Sequence, residues 1–312
     1  MKRAEWRHIC GSTGCLESCL TIPIYFLNQR EVVLLDSGFA DRDRGALDTF
    51  LEERAVRVRA IIGSHSHNDH NGNHAYYQRT HGAEVILRDV EAALVSDFAL
   101  MTAAYGPGTA EDMRRELPHL LVKADRTFSE ADREISVDNR AFGLIPLPGH
   151  TPGHTGIVTP DGVFYVGDAV MSLDVIHGAK LPTAMDWKQD IESKRKLEDL
   201  RYGKYVLAHK GVYDAITLLV EENIADRLRR AEQIGGWLAE GTCWTENQAE
   251  QLLWEKLKLH SRSFATQTVF RRNVHCALEY LVCSGRAARM FRDGTVWYAV
   301  NERSITGSCG AK

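Results

Sequence analysis

The stretch that decides the fold of this chain is Ile62–Tyr77, IGSHSHNDHNGNHAYY. It places His65, His67, Asp69, His70 and His74 within ten residues, directly after the apolar run RVRAII. Four imidazoles and a carboxylate are more donors than one tetrahedral ion takes. Three further apolar runs end in the same way: GLIPLPG is followed by His150, GVFYVG by Asp168 and KYVLA by His209. In layered α/β proteins the carboxyl ends of the strands are where ligands gather, because the chain there turns side chains into a shared crevice.

The residue types point to metal chemistry. Neutral imidazole suits zinc, and an aspartate supplies a hard oxygen able to bridge two ions. His65 and His67, two apart on an extended loop, point to one side and share one ion, while Asp69 and His70 serve a second. His150 completes the first site and His209 the second, with Asp168 between them. Each ion then has three protein ligands and an open position, the mark of a catalytic rather than a structural site. His74 stands four residues after His70 at the start of an expected helix, and His154 four after His150. Both are expected to support the site rather than bind metal.

HSHNDH at 65–70 fits the H-x-H-x-D-H signature of the metallo-β-lactamase-fold hydrolases, and PGHTPGH, VGDA and LAHKG resemble that superfamily's remaining ligand motifs in order. The resemblance covers about residues 20 to 212. It implies an αββα sandwich with a dinuclear site: His65, His67 and His150 on one metal, Asp69, His70 and His209 on the other, and Asp168 bridging. LAHKG departs from the commoner G-H-G by carrying Ala208 and Lys210 around the histidine. The metals implied are two divalent ions, zinc first, with iron or manganese as alternatives.

The remainder of the chain fits an α/β layered fold. Short β-branched runs separated by turn signals alternate with helical patterns such as RGALDTFLEERA and DIESKRKLEDL. The expected division is a catalytic domain over 1–212, with an insertion at about 90–132 that reads as two helices around YGPGT, and a helical, winged-helix-like domain over 213–312. In the latter, Thr245 reads as a helix N-cap and Asp293-Gly294 as a hairpin turn. Charge divides similarly: residues 256–312 carry 10 Lys and Arg against 3 Asp and Glu, whereas the whole chain is at −4. No apolar run approaches the length of a membrane span and no secretory pattern is readable, so the expectation is a cytoplasmic protein off the membrane. Seven cysteines without paired spacing read as reduced thiols.

Function is expected from the site and its surroundings. The leading expectation is a hydrolase that uses a metal-bridging hydroxide, oriented by Asp69, on a small acyl substrate: a thioester, ester or lactone. PGHTPGHTG and the full ligand set resemble the glyoxalase II-like branch. The C-terminal pattern resembles the tail of lactamase-like protein beta 2, which implies the alternative of a metal-dependent endoribonuclease or phosphodiesterase. Lys256, Lys258, Arg262, Arg271, Arg272, Arg286, Arg289 and Arg292 would then meet phosphates. A third possibility is a mononuclear iron oxygenase of the persulfide dioxygenase kind. His177 and Lys180, shortly after Asp168, are candidates to hold an anionic substrate group, and a homodimer is a further expectation.

Overall fold

The computed structural model describes residues 4–105, 108–241, 243–260 and 264–300, with side chains from 267 onward in the last segment. Seven strands form the first sheet in chain order: β1 (Glu5–Cys10), β2 (Thr13–Glu17), β3 (Thr21–Phe26), β4 (Glu31–Leu35), β5 (Arg57–Ile62), β6 (Glu84–Arg88) and β7 (Arg126–Phe128). Tight turns join β1 to β4, which pair antiparallel. From β4 to β7 the pairing is parallel, because helical crossovers intervene. These are α1 (Arg44–Glu53), then α2 (Asn68–Asn71) and α3 (His74–His81), then α4 (Asp89–Val95), α5 (Phe98–Tyr105) and α6 (Ala110–Glu116).

The second sheet runs in the order β13-β12-β11-β10-β9-β8. Its strands are β8 (Glu134–Val137), β9 (Arg140–Pro146), β10 (Thr155–Val158), β11 (Val163–Gly167), β12 (Lys204–Leu207) and β13 (Val212–Tyr213). The parallel pair β11 and β12 is linked through α7 (Leu173–Gly178) and α8 (Trp187–Glu198). Along β9 the buried Phe142 and Leu144 alternate with more exposed neighbours, the period of a strand with one face inward. They join Ile157, Tyr165 and Val206 against the face of the first sheet that carries Tyr25, Val33 and Leu35, with the Tyr25 ring edge-on to Phe142 at 5.3 Å. Phe164, Val166, Leu197 and Val220 form a second cluster on the outer face, under the helices. Helices cover both outer faces, so the αββα expectation is met. Central strands such as EVVLL are continuous apolar runs because both of their faces are covered.

Three features differ from expectation. The insertion contains three short helices and a 3₁₀ turn rather than two helices, and it ends in β7, which completes the first sheet. Three residues with one buried side chain, Phe128, give no readable period. The hairpin of β1 and β2 also went unanticipated, because β1 lies at an edge with mostly exposed side chains. Cys243 is disulfide-bonded, a departure from seven reduced thiols that an odd count never forbade. Cys10, Cys15, Cys19, Cys276 and Cys283 are free.

The C-terminal part comprises α9 (Thr217–Ala239), β14 (Trp244–Thr245), α10 (Glu246–Lys256), α11 (Phe264–Cys283), β15 (Ala288–Arg292) and β16 (Thr295–Ala299), with a three-stranded sheet ordered β14-β16-β15. Thr245 caps α10 in a reciprocal box with Gln248. Asp293 and Gly294 both take the left-handed conformation that a two-residue hairpin turn requires. Helix α9 belongs to two cores: Leu219 and Val220 pack on the second sheet, and Ile234 and Leu238 pack with Trp187 and α11. Among the described residues, no helix is long and apolar enough to cross a membrane.

Trp187, at the start of α8, is the side chain by which the sandwich grips the C-terminal module. It is fully buried, lies 4.7 Å below the Arg227 guanidinium and 6.0 Å from the Tyr280 ring. Trp187→Ala is expected to cost about 3–5 kcal/mol in a denaturant titration. A loss below about 1 kcal/mol would mean that the two cores are independent.

Candidate metal centre and cavity

Five strands deliver their next residues to one place. Asp36 follows β4, the loop of Ser64 to His70 follows β5, His150 follows β9, Asp168 follows β11 and His209 follows β12. Close packing there leaves no room for side chains at two glycines. A Cβ on Gly149 would lie 2.2 Å from the Asp190 backbone nitrogen, and one on Gly167 2.7 Å from His154 Nε2. Both glycines also have positive φ.

The predicted ligands converge as two groups. His65 Nε2 and His150 Nε2 stand 3.0 and 2.9 Å from His67 Nδ1. Two nitrogens about 2.1 Å from one tetrahedral ion would be roughly 3.4 Å apart, so this spacing is close to that of a shared ion. In the second group, Asp168 Oδ1 is 3.4 Å from His70 Nε2, and its Oδ2 is 3.3 Å from His209 Nε2 and 3.4 Å from His150 Nε2. Asp69 Oδ2 lies 3.3 Å from His209 Nε2 and 3.7 Å from His70 Nε2. Asp168 therefore faces both groups. Asp36, His65 and His70 form a third, overlapping set with suitable spacing.

The donor chemistry fits cations. His70 Nε2 and Asp168 Oδ1 are buried with no hydrogen-bond partner, an arrangement that is costly unless something positive binds there. Burial pushes the His67 imidazole down to about 3 and His150 down to about 4, leaving both neutral with lone pairs available at neutral pH. His209 goes the other way, up to about 10, chiefly through the Asp168 carboxylate. For His70, burial opposes protonation but the carboxylates of Asp168, Asp69 and Asp36 outweigh it, and its pKa rises. The second group is thus a place of concentrated negative charge.

Buried partners orient the rings. His70 Nδ1 donates to Asp36 Oδ2 at 2.7 Å, and His150 Nδ1 donates to the Thr183 carbonyl at 3.1 Å. Ser64 Oγ gives its proton to Asp36, so it accepts from His65 Nδ1 at 3.0 Å. In each case Nε2 is left facing the site. His154 Nε2 accepts from the Asp168 backbone N–H at 3.1 Å, a supporting contact. His74 is buried on α3 with Nδ1 2.7 Å from Ser37 Oγ and belongs to none of the donor groups.

Sequence reasoning missed Asp36 and Glu91. Glu91 is 1% exposed and accepts from Ser66 N at 2.9 Å, Thr151 Oγ1 at 2.7 Å and Gly153 N at 2.7 Å. One carboxylate from the insertion therefore clamps the loop of His65 and His67 to the loop of His150. The D in LLDSG stood directly after a strand like the other site residues, and that was the available signal for Asp36. Nothing local marked Glu91.

The two groups form the floor of a cavity of about 670 Å³. Its walls come from the insertion (Tyr105, Met113, Leu117, Leu120) and from α11 (Thr268, Val269, Arg272), with Asn68, Met171 and Thr183 between them. His177 and Lys180 correct the sequence reading: both are exposed, on α7 and the loop behind it, and neither lines the cavity. The short helix α7 turns His177 outward and Lys180 follows in the loop behind it, so proximity in sequence to Asp168 is no guide. Of the basic tail, Lys256, Arg271, Arg286, Arg289 and Arg292 lie near Glu240, Glu250, Glu232, Glu279 and Asp293, and Arg262 lies outside the described residues.

Comparison with known proteins agrees with this architecture. The profile of the metallo-beta-lactamase superfamily matches residues 19–209. A hydroxyacylglutathione hydrolase of Blochmanniella pennsylvanica is 31% identical over 145 residues, 46% of this chain and 44% of that protein. The hydroxyacylglutathione hydrolase GloC of Haemophilus influenzae is 26% identical over 170 residues, 53% of this chain and 74% of that protein. The match thus spans less than half the length of the first relative. In structure, a metallo-beta-lactamase family protein from Thermus thermophilus superposes with TM-score 0.68 at 21% identity, covering 90% of this chain and 93% of that one. A beta-lactamase domain protein from Burkholderia ambifaria does so with TM-score 0.69 at 16% identity, covering 95% and 94%. Coverage of that extent takes in most of the C-terminal module as well as the sandwich. The chain belongs to the metallo-beta-lactamase superfamily, whose signature extends over residues 19–209.

Proposed function

We propose that the protein is a dinuclear metal hydrolase of small acyl substrates, a thioester, ester or lactone. His65, His67 and His150 would hold one ion and Asp69, His70 and His209 the other, with Asp168 shared. The observation that carries the reading is the pair of inward-facing donor groups at the floor of one largely apolar cavity. Bound there, two divalent cations, zinc by the nitrogen-rich donor set, would supply Lewis acidity and lower the pKa of water toward about 7.

The chain's own groups do the rest. Asp69 turns Oδ2 toward His70 and His209, so Oδ1 is left to accept a hydrogen bond from the attacking water and orient it. Ser66 is no nucleophile, because Glu91 and Tyr105 hold its hydroxyl. Met113, Leu117, Leu120 and Val269 keep bulk water from the acyl group, which strengthens every charge interaction around it. The hydroxyacylglutathione hydrolases among the relatives support a thioester.

The nuclease alternative is disfavoured by the tail, where five of the expected phosphate-binding residues already face carboxylates. The order helix, strand, helix, helix, hairpin supports a winged-helix reading of the module, which here serves as a cavity wall. The test is a metal count together with an activity panel on the purified protein. Two divalent ions per chain and turnover of a thioester or lactone are expected. One iron per chain, or cleavage of RNA and phosphodiesters alone, would contradict the reading.

Three variants check the assignment. Asp168→Ala should lose metal and nearly all turnover, whereas His74→Ala should keep metal and kcat and lose about 1–3 kcal/mol of stability. Equal loss of metal in both would show the ligand set to be misassigned. Glu91→Gln keeps the shape but gives up one of two acceptor oxygens, and should weaken metal binding by about 10–100-fold in a chelator competition. Unchanged affinity would remove Glu91 from the site's support.

A further inference from the structure

We propose that Arg272 recognises a carboxylate carried by the substrate, away from the bond that is cleaved. The proposal rests on the hydrolase reading for the reaction, and on the geometry of the cavity for the anion. Arg272 projects from α11 into the cavity wall. Its Nη2 is buried and has no hydrogen-bond partner. The groups acting on its charge are Tyr105 and Cys276, and no carboxylate is among them. The other cavity cation, Arg115, is already held by Asp112 at 2.8 Å and Glu116 at 3.4 Å. Arg272 is thus the uncompensated cation among the described residues of the cavity.

Its position is fixed from two sides. The guanidinium lies 5.3 Å from the centroid of the Tyr105 ring, which lies 5.8 Å from the His67 ring. Tyr105 is itself anchored through its hydroxyl to Ser66, so the cation stands one aromatic ring away from the first donor group. On the other side, the next residue, Asn273, accepts from Ala184 N at 3.1 Å, and Cys276 Sγ donates to the Met185 carbonyl at 3.0 Å. That same segment holds His150 through Thr183. The cation and the donor groups therefore share one rigid support.

A half-buried guanidinium whose Nη2 is out of water and without an acceptor costs stability, and the planar fork it presents matches a carboxylate in two parallel hydrogen bonds. One unpaired positive charge suits a monoanion rather than a phosphate dianion. Apolar Met113, Leu117, Leu120 and Val269 flank the space, which suits a short aliphatic spacer. The substrate class is an acyl compound whose far end carries a carboxylate.

The test uses a pair of non-hydrolysable thioether analogues, identical except for a terminal carboxylate or primary amide, titrated calorimetrically into the metal-loaded protein. Wild type should bind the carboxylate at least about tenfold more tightly than the amide. Arg272→Met should abolish that preference while holding the amide within about threefold of wild type, and Arg272→Lys should keep part of it. The melting temperature of Arg272→Met should match or exceed that of wild type, because an unpaired charge has been removed. No preference in wild type, or an equal loss for both analogues accompanied by a lower melting temperature, would overturn the proposal. The matching hydrolysable thioesters separate the two readings. Binding preference without turnover condemns the hydrolase reading alone, and turnover without preference condemns the role of Arg272 alone.

Discussion

Asp36 is the contact on which the centre depends. Its carboxylate accepts from Ser64 N and Ser64 Oγ at 2.7 and 2.6 Å, from Tyr165 Oη at 2.7 Å and from His70 Nδ1 at 2.7 Å. Ser64 and His70 follow β5 of the first sheet, and Tyr165 belongs to β11 of the second. One buried anion therefore fixes the distance between the sheets and the direction of two histidines. Burial alone would drive the proton onto it, but the His70 charge and the surrounding donors keep its pKa below the usual carboxylate value. Its left-handed backbone is a conformation that aspartate tolerates better than a β-branched residue does.

Glu91 repeats the device at the other end of the site, joining the first histidine loop to the loop of His150. Neither carboxylate lines the cavity, yet together they hold loops that would otherwise relax. Buried acceptors whose lone pairs are all satisfied make such a network rigid. The C-terminal module adds a third restraint, since Asn273 and Cys276 grip the 183–185 segment against which His150 rests. This is why the module cannot be treated as an appendage: it walls the cavity and braces His150.

The sandwich and the seven candidate ligands were legible because both depend on local signals. Strands covered on both faces read as apolar runs, and residues needed at their carboxyl ends follow those runs directly. Thr245 and the Asp293-Gly294 turn were legible for the same reason, each being a few residues of specific backbone chemistry. The hidden features were those set by distant partners. Glu91 matters only because Ser66 and Gly153 come to it, and β7 exists only because β6 offers an edge. His177 and Lys180 misled because sequence nearness to Asp168 said nothing of the helix that carries His177 outward. Arg272 stood in the sequence among eight basic residues, and only the packing of α11 separates it from those that face acidic partners.

The most direct test of the two-ion claim is anomalous diffraction from crystals of the metal-loaded protein at the metal absorption edge. Two peaks are predicted: one touching His65 Nε2, His67 Nδ1 and His150 Nε2, the other touching Asp69, His70 and His209, with Asp168 in contact with both. A single peak, or one lying among Asp36, His65 and His70, would contradict the account.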